Sequence, residues 1–325
     1  MEAAMARRRV GARGFADAIV EQARPVRDRL SEIDGLLEWS RFAVLLPEYP
    51  TTTRGKPAYP ALVLFKALLL QRWYQLSDPG LEEALSDRLS FRRFCGLSLA
   101  DETPDHSTLW RFRERLTQRD LMPVLMAELA AQLDGHGVVL RQGTLIDASL
   151  VRSAARRPTK SEGKTSPTDP DAKFGSNNTR RVYTFGYKMH LAVDAFSTLV
   201  RGVTVSPGNH QEIRYAKGLV QGDELAVYAD RGYDSQDLRD HLAEHGIADG
   251  VMRRAHNKRP LTEQERERNQ DLIPRRRPVE AVFGTLKRTY GLARMRCFGI
   301  ARNATDITLA CFAYNLRRLL VLTAR

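Results

Sequence analysis

Cysteine is scarce in this chain of 325 residues: only Cys95, Cys297 and Cys311, none in a Cys-x-x-Cys pair. Three isolated thiols cannot build a disulfide framework, and they suit buried free cysteines in a reducing cytoplasm. The pattern shows no His/Cys set with the spacing of a zinc site. Long apolar runs are missing too. The longest, Leu62–Leu70, is broken by Lys66 and falls far short of the roughly 20 residues of a membrane span. Arg7-Arg8-Arg9 is followed by no apolar run, so a secretory signal is not expected.

Positive charge is in excess. The net is +12, and two segments carry all of it: 251–296 has a surplus of 8 and 152–181 a surplus of 5. Charge focused in this way points to a polyanion partner, nucleic acid first. The length allows two domains. We expect a helical domain over 1–136 with a basic arm at 1–13, and an α/β domain over 137–325.

The N-terminal part reads as helices. Ala61–Leu76 stops at Ser77-Asp-Pro-Gly80, Leu81–Leu89 and Ser90–Cys95 follow, and the N-cap-rich Asp105-His-Ser-Thr108 precedes a basic helix carrying Arg111 and Arg113. Short helices, tight turns and a basic last helix resemble a helix-turn-helix arrangement. Thr51–Lys56 reads as a linker, and Leu121–Leu133 as another helix.

Beyond Gly137 the texture changes. Val138–Leu140, Thr144–Val151, Val182–Val193, Leu199–Ser206, Leu225–Ala229 and Gly250–Met252 read as strands. Residues 152–181 hold almost nothing apolar and read as a flexible basic insert. Asp147 falls inside an apolar strand, where a carboxylate is costly without ionic partners. Asp230 follows a strand end, where α/β sheets place ligand groups, although an Asx turn also suits an Asp before Gly. Pro278 suits the first turn of a helix, which puts Glu280 near its positive end. A charged helix is expected before it, over Thr262–Leu272. Arg275, Arg276, Arg277 and Lys287 surround Glu280, and a solvated surface helix is the competing reading of that stretch. Three acids in such settings suit two divalent ions, which together activate one oxygen and neutralise another in phosphoryl transfer.

Several fragments, in order, resemble the DDE transposases of bacterial insertion sequences, in the group named after insertion sequence five. They are Tyr59-Pro with Leu62–Trp73, Phe91-Arg-Arg-Phe-Cys-Gly-Leu97 and Pro104-Asp-His-Ser-Thr-Leu-Trp-Arg-Phe-Arg113, then Ile146-Asp-Ala-Ser149, Gly186–Asp194 and Ala229-Asp-Arg-Gly-Tyr-Asp234. The family signature Tyr-x2-Arg-x3-Glu-x6-Lys is met by Arg276, Glu280 and Lys287, but Ile273 stands at the Tyr position. The resemblance implies an α/β RNase H-like mixed sheet flanked by helices, with an N-terminal all-α DNA-binding domain. It implies that Asp147, Asp230 and Glu280 are the catalytic, metal-binding carboxylates. The ions expected are two Mg²⁺, with Mn²⁺ as a substitute. Double-stranded DNA would be the partner, contacted by Arg276, Lys287, Arg275, Arg277, Arg111, Arg113 and Arg231. The activity implied is metal-dependent cleavage at terminal inverted repeats followed by strand transfer, in a homodimeric synaptic complex and a cytoplasmic, nucleoid-associated setting. Asp194 in a hairpin turn, His190 and His210 read as structural. The competing functions are a decayed or domesticated DNA binder and a nuclease on the same fold.

Overall fold

Thr144–Arg152 and Val182–Asp194 are dense in β-branched and aliphatic residues, and they pair antiparallel from Thr144 opposite Asp194 to Arg152 opposite Gly186. This pair is the centre of a six-stranded sheet in a computed structural model describing residues 8–23, 28–47, 57–139, 141–159, 163, 165–177, 182–256 and 259–324. The expected basic arm is described only from Arg8, and the linker Thr51–Lys56 lies outside the described residues.

The chain divides into two compact units, 1–132 and 133–323. The first contains helices α1 (Phe15–Ala23), α2 (Arg29–Gly35), α3 (Trp39–Leu45), α4 (Ala61–Tyr74), α5 (Asp78–Asp87), α6 (Leu89–Cys95) and α7 (His106–Gln118) and most of α8 (Met122–Gly135). Helix α4 is buried from Val63 to Trp73, Lys66, Gln71 and Arg72 included, and so its sequence carries no single apolar stripe. Ser77 caps α5 through Gly80 N–H, and Asp105 caps α7 through Thr108 N–H, as the turn chemistry suggests. Leu109, Phe112 and Leu116 form the buried stripe of α7.

The second unit holds β1 (Thr144–Arg152), β2 (Lys173–Asn177), β3 (Val182–Asp194), β4 (Val200–Pro207), β5 (Ala226–Ala229) and β6 (Ala248–Val251). The order is β2-β3-β1-β5-β6, with β4 also on β3; β1, β5 and β6 run parallel and the other pairings are antiparallel. Its helices are α9 (Ala216–Leu219), α10 (Gln236–Glu244), α11 (Glu263–Thr289) and α12 (Ile300–Thr323). Helix α12 is buried almost throughout from Thr305 to Leu316. From it, Asn315 accepts from Val200 N–H and donates to Val200 C=O, at 2.8 and 2.7 Å. A side-chain amide thereby satisfies backbone groups of β4 that would otherwise be buried unpaired. Among the described residues no helix is long and apolar enough to cross a membrane.

Four expectations need correction. Residues 138–139 are not in a strand; Gly137 and Arg141 have positive φ and turn the chain into β1 instead. The basic insert contains a strand, β2, because β3 supplies its hydrogen-bond partner and Phe185 packs on Phe174 at 5.1 Å. Within it Asp169 is buried, accepting from Ser153, Tyr187 and the Gly299 N–H. The charged helix and the Arg275 stretch are one helix, α11, of 27 residues. Thr262 and Glu265 form a capping box at its start, and both Pro274 and Pro278 lie inside. Glu280 is therefore mid-helix, beyond the reach of the N-terminal dipole. The side-chain packing of Leu272, Val279, Val282, Phe283 and Leu286 offsets what the prolines remove from the backbone ladder.

Candidate active site

Asp147 and Asp230 meet because of strand register. The last parallel rung between β1 and β5 pairs Ile146 with Ala229. Each aspartate is the next residue along, on strands roughly 4.8 Å apart. Asp230 also caps the short 3-10 turn Arg231–Tyr233, accepting from the Gly232 N–H at 2.7 Å, so the Asx-turn reading and the site reading hold together. Glu212, on the 3-10 turn Glu212–Tyr215 that follows β4, completes a group of three carboxylates whose oxygens lie within 4.8 Å of one another. Gly232 makes this approach feasible: a Cβ there would stand 2.8 Å from Asp230 Oδ1 and 3.4 Å from Glu212 Oε2.

The group lines a cavity of about 1070 Å³ together with Lys188, Arg231, Arg253, Arg254, Arg276 and Lys287. Lys188 holds Glu212 at 3.0 Å and the His210 carbonyl at 3.0 Å. Arg276 approaches Asp147 Oδ2 at 3.6 Å, and Lys287 donates to Ser149 Oγ at 2.7 Å. Burial pushes the Asp147 carboxyl up to about 7; Arg276 opposes this, while Asp230 and Glu212 add to it. Among the described residues the Tyr233 hydroxyl is buried without a hydrogen-bond partner. Burial first, then the charges of Glu212, Asp147 and Asp230, hold its proton well above the usual range. Crowded carboxylates and an orphaned hydroxyl beside them are what a hard cation with its waters would relieve. The donor set fits a divalent metal ion.

The other expected residues are distributed unevenly. Glu280 is exposed on α11 and is neither in the carboxylate group nor among the cavity-lining residues. It nevertheless shares a stripe of the helix with Arg276 and Lys287, about 40° and about 20° away at 3.6 residues per turn. Ile273, at the signature's Tyr position, lines the cavity. Arg275 and Arg277 are exposed; Arg275 contacts Tyr228, donating to its hydroxyl at 3.2 Å. In the first unit Arg111 is exposed. Arg113 is not available to a partner: it is buried, donating to Asp78 at 2.6 Å and Gln71 at 2.8 Å. Its position on the inner side of α7 overturns the expected DNA contact. Asp194, His190 and His210 are structural. Asp194 is buried and accepts from Ser197 N–H and Arg141 N–H; the rings bond to Ser206 and Tyr215.

Glu212 escaped the sequence reading. Its only local sign is an acid just past Pro207-Gly208, where a strand gives way to a turn. A second grouping, His241, Glu244 and His245, also brings ligand atoms within 4.8 Å. Its spacing of three and four residues, at the C-terminal end of α10 and its cap His245, was legible in the sequence, which corrects the expectation that no His set competes.

Residues 140–316 match a family model described as "Transposase DDE domain", and residues 18–115 match one described as "Transposase domain (DUF772)". Among solved structures the chain is similar to the piggyBac transposase in a synaptic complex with hairpin DNA, at 11% identity over 93% of this chain and 76% of that chain, with a TM-score of 0.48. It is also similar to a chain of the pre-cleavage Mos1 transpososome, at 11% identity over 88% and 84%, with a TM-score of 0.19. The family match spans more than half of the residues and includes Asp147, Glu212, Asp230 and Glu280, so the chain belongs to the DDE transposases, a family of metal-dependent DNA-cleaving enzymes.

Proposed function

We propose that this transposase binds the terminal inverted repeats of an insertion sequence, cuts there and joins the freed 3′-OH to target DNA. The observation that carries the reading is the carboxylate group of Asp147, Asp230 and Glu212 in a cavity otherwise walled by Arg and Lys. Acidic oxygens suit divalent ions, and the cations around them suit a phosphate backbone. The strand order, β4-β3-β1 antiparallel and continued by parallel β5 and β6, with β2 also antiparallel on β3, supports an RNase H-like fold.

Asp147, Asp230 and Glu280 are the metal-binding carboxylates in this reading, for two Mg²⁺ or, in substitution, Mn²⁺. Such ions supply a lowered water pKa and neutralisation of the leaving oxygen. Glu280 is included because Arg276 and Lys287, on its own helix stripe, both line the cavity. Glu212 is the alternative third ligand. Arg276, Lys287 and Arg231 hold the phosphates flanking the scissile bond; Arg275 and Arg277, and Arg111 in the helical domain, touch DNA farther out. The helical domain is 1–136 and the catalytic domain 137–325. Two copies pair to bring two ends together, and the protein works at the nucleoid.

The test uses the full chain, Mg²⁺ and a linear duplex bearing the inverted repeats that flank the gene. Expected are nicks at the repeat ends and joined products, both absent with Asp147→Asn or Asp230→Asn. Cleavage without joining would make the protein a nuclease. DNA binding without either reaction, in the presence of Mg²⁺ and Mn²⁺, would make it a decayed DNA binder.

A further inference from the structure

A second recess, of about 200 Å³, opens where β1 ends. It is lined by Arg152, Arg156, Arg157 and Arg294 with Ser153 and Phe185, and no carboxylate is among its lining residues. The backbone forces part of this crowding. Arg152 and Arg294 face one another across a β-bridge, closed by Met295 N–H to Arg152 C=O at 2.8 Å. The two exposed arginines are thereby held side by side, a pairing of like charges that a bound anion would favour.

The guanidinium groups are oriented as well as concentrated. Arg294 donates to the carbonyls of Ser153 and Ala154, at 3.3 and 2.8 Å, and Arg157 to that of Tyr183 at 3.0 Å. A guanidinium has five N–H donors, so these bonds fix the plane and leave donors over. Carbonyl partners do not neutralise the charge. Ser153 Oγ is already committed to Asp169, which keeps the recess floor in place.

The positive charge continues to the carboxylate cavity. Burial, and then the nearby Arg152 charge, hold the Lys287 ammonium below its usual value, and Lys287 is itself a wall of that cavity. Arg152 lies five residues along β1 from Asp147. At ~3.4 Å per residue that is ~17 Å along the backbone, a span shorter than the width of a duplex.

We infer that the Arg152–Arg294 recess is a phosphodiester-binding subsite that grips DNA flanking the bond cut at the carboxylates. The inference rests on the proposed DNA-cleaving reading. The subsite carries no sequence information; it fixes the register of the strand.

The test is the salt dependence of binding of the full chain to a fluorescein-labelled duplex, between about 50 and 200 mM salt. Each lost phosphate contact lowers the steepness of log K against log salt by about 0.9. Arg152→Gln/Arg294→Gln should lower it by roughly 1 to 2, and Arg152→Lys/Arg294→Lys should keep the wild-type slope. Arg156→Gln/Arg157→Gln, in an exposed segment of the same recess, gives the same reading if the first pair fails to fold. Unchanged slopes in the Gln variants, with a steep wild type, overturn the subsite and leave the cleavage reading standing. A flat wild-type response overturns both. Wild-type stabilisation by inorganic phosphate that the Gln variants lose, without a change in DNA slope, assigns the recess to free anions and overturns the proposal.

Discussion

Arg276 on α11 reaches across to β1 and stands 3.6 Å from Asp147. It is the nearest countercharge to a mostly buried carboxylate that Asp230 and Glu212 also crowd. Arg276→Ala should therefore destabilise the protein without metal by about 1–3 kcal/mol, the order expected when a partly buried charge loses its partner. Added Mg²⁺ should then raise the melting temperature of the variant more than that of the wild type. Equal Mg²⁺ shifts in the two proteins would separate Arg276 from the metal-binding group.

Glu280 and Glu212 compete for one role, and substitution separates them. Glu280→Gln is expected to reduce Mg²⁺-dependent cleavage by at least ~10²-fold, the scale of losing an electrostatic catalytic group, with little change in stability. Glu212→Gln should loosen Lys188, which holds it at 3.0 Å, and lower cleavage less. The reverse ranking, in a single-turnover cleavage assay, would assign the third ligand to Glu212.

Arg113 belongs to the interior of the helical unit. Arg113→Ala leaves Asp78 and Gln71 without their shared partner and should cost on the order of 2–4 kcal/mol of unfolding free energy in urea. Arg111→Ala should leave stability within about 0.5 kcal/mol and weaken DNA binding instead. An Arg113→Ala protein of wild-type stability would return that residue to the surface set.

Burial depresses His190 to about 3 in the folded protein, with the charges of Lys188 and His210 adding to the effect; the unfolded value is near 6.5. The unfolded chain thus takes up a proton between those values that the folded chain refuses. Stability contributed by this group is complete above about 6.5 and is lost as the pH falls toward about 3, with a slope approaching 1.4 kcal/mol per pH unit. His190→Gln should flatten that part of the profile, measured by urea unfolding from pH 7 to 4.5.

Local chemistry made much of the molecule legible in the sequence. The caps at Ser77 and Asp105, the apolar run of α4 and the β-branched texture of β1 and β3 are decided by neighbours along the chain. Asp147 and Asp230 were legible for the same reason, each being an acid set against an apolar strand. Glu212 was not, because its role comes from where β4 ends in space, beside a glycine that leaves room for it. Nor was the continuity of α11 through Pro274 and Pro278, which side-chain packing on the sheet decides against backbone preference. The separation of Arg111 from Arg113 is of this second kind. Two residues on one helix differ by about 200° in direction, and only the packed unit fixes which of the two meets Asp78. Residue identity thus determined which groups are chemically able to act; folding decided which of them share a pocket, because proximity between distant segments is a property of packing.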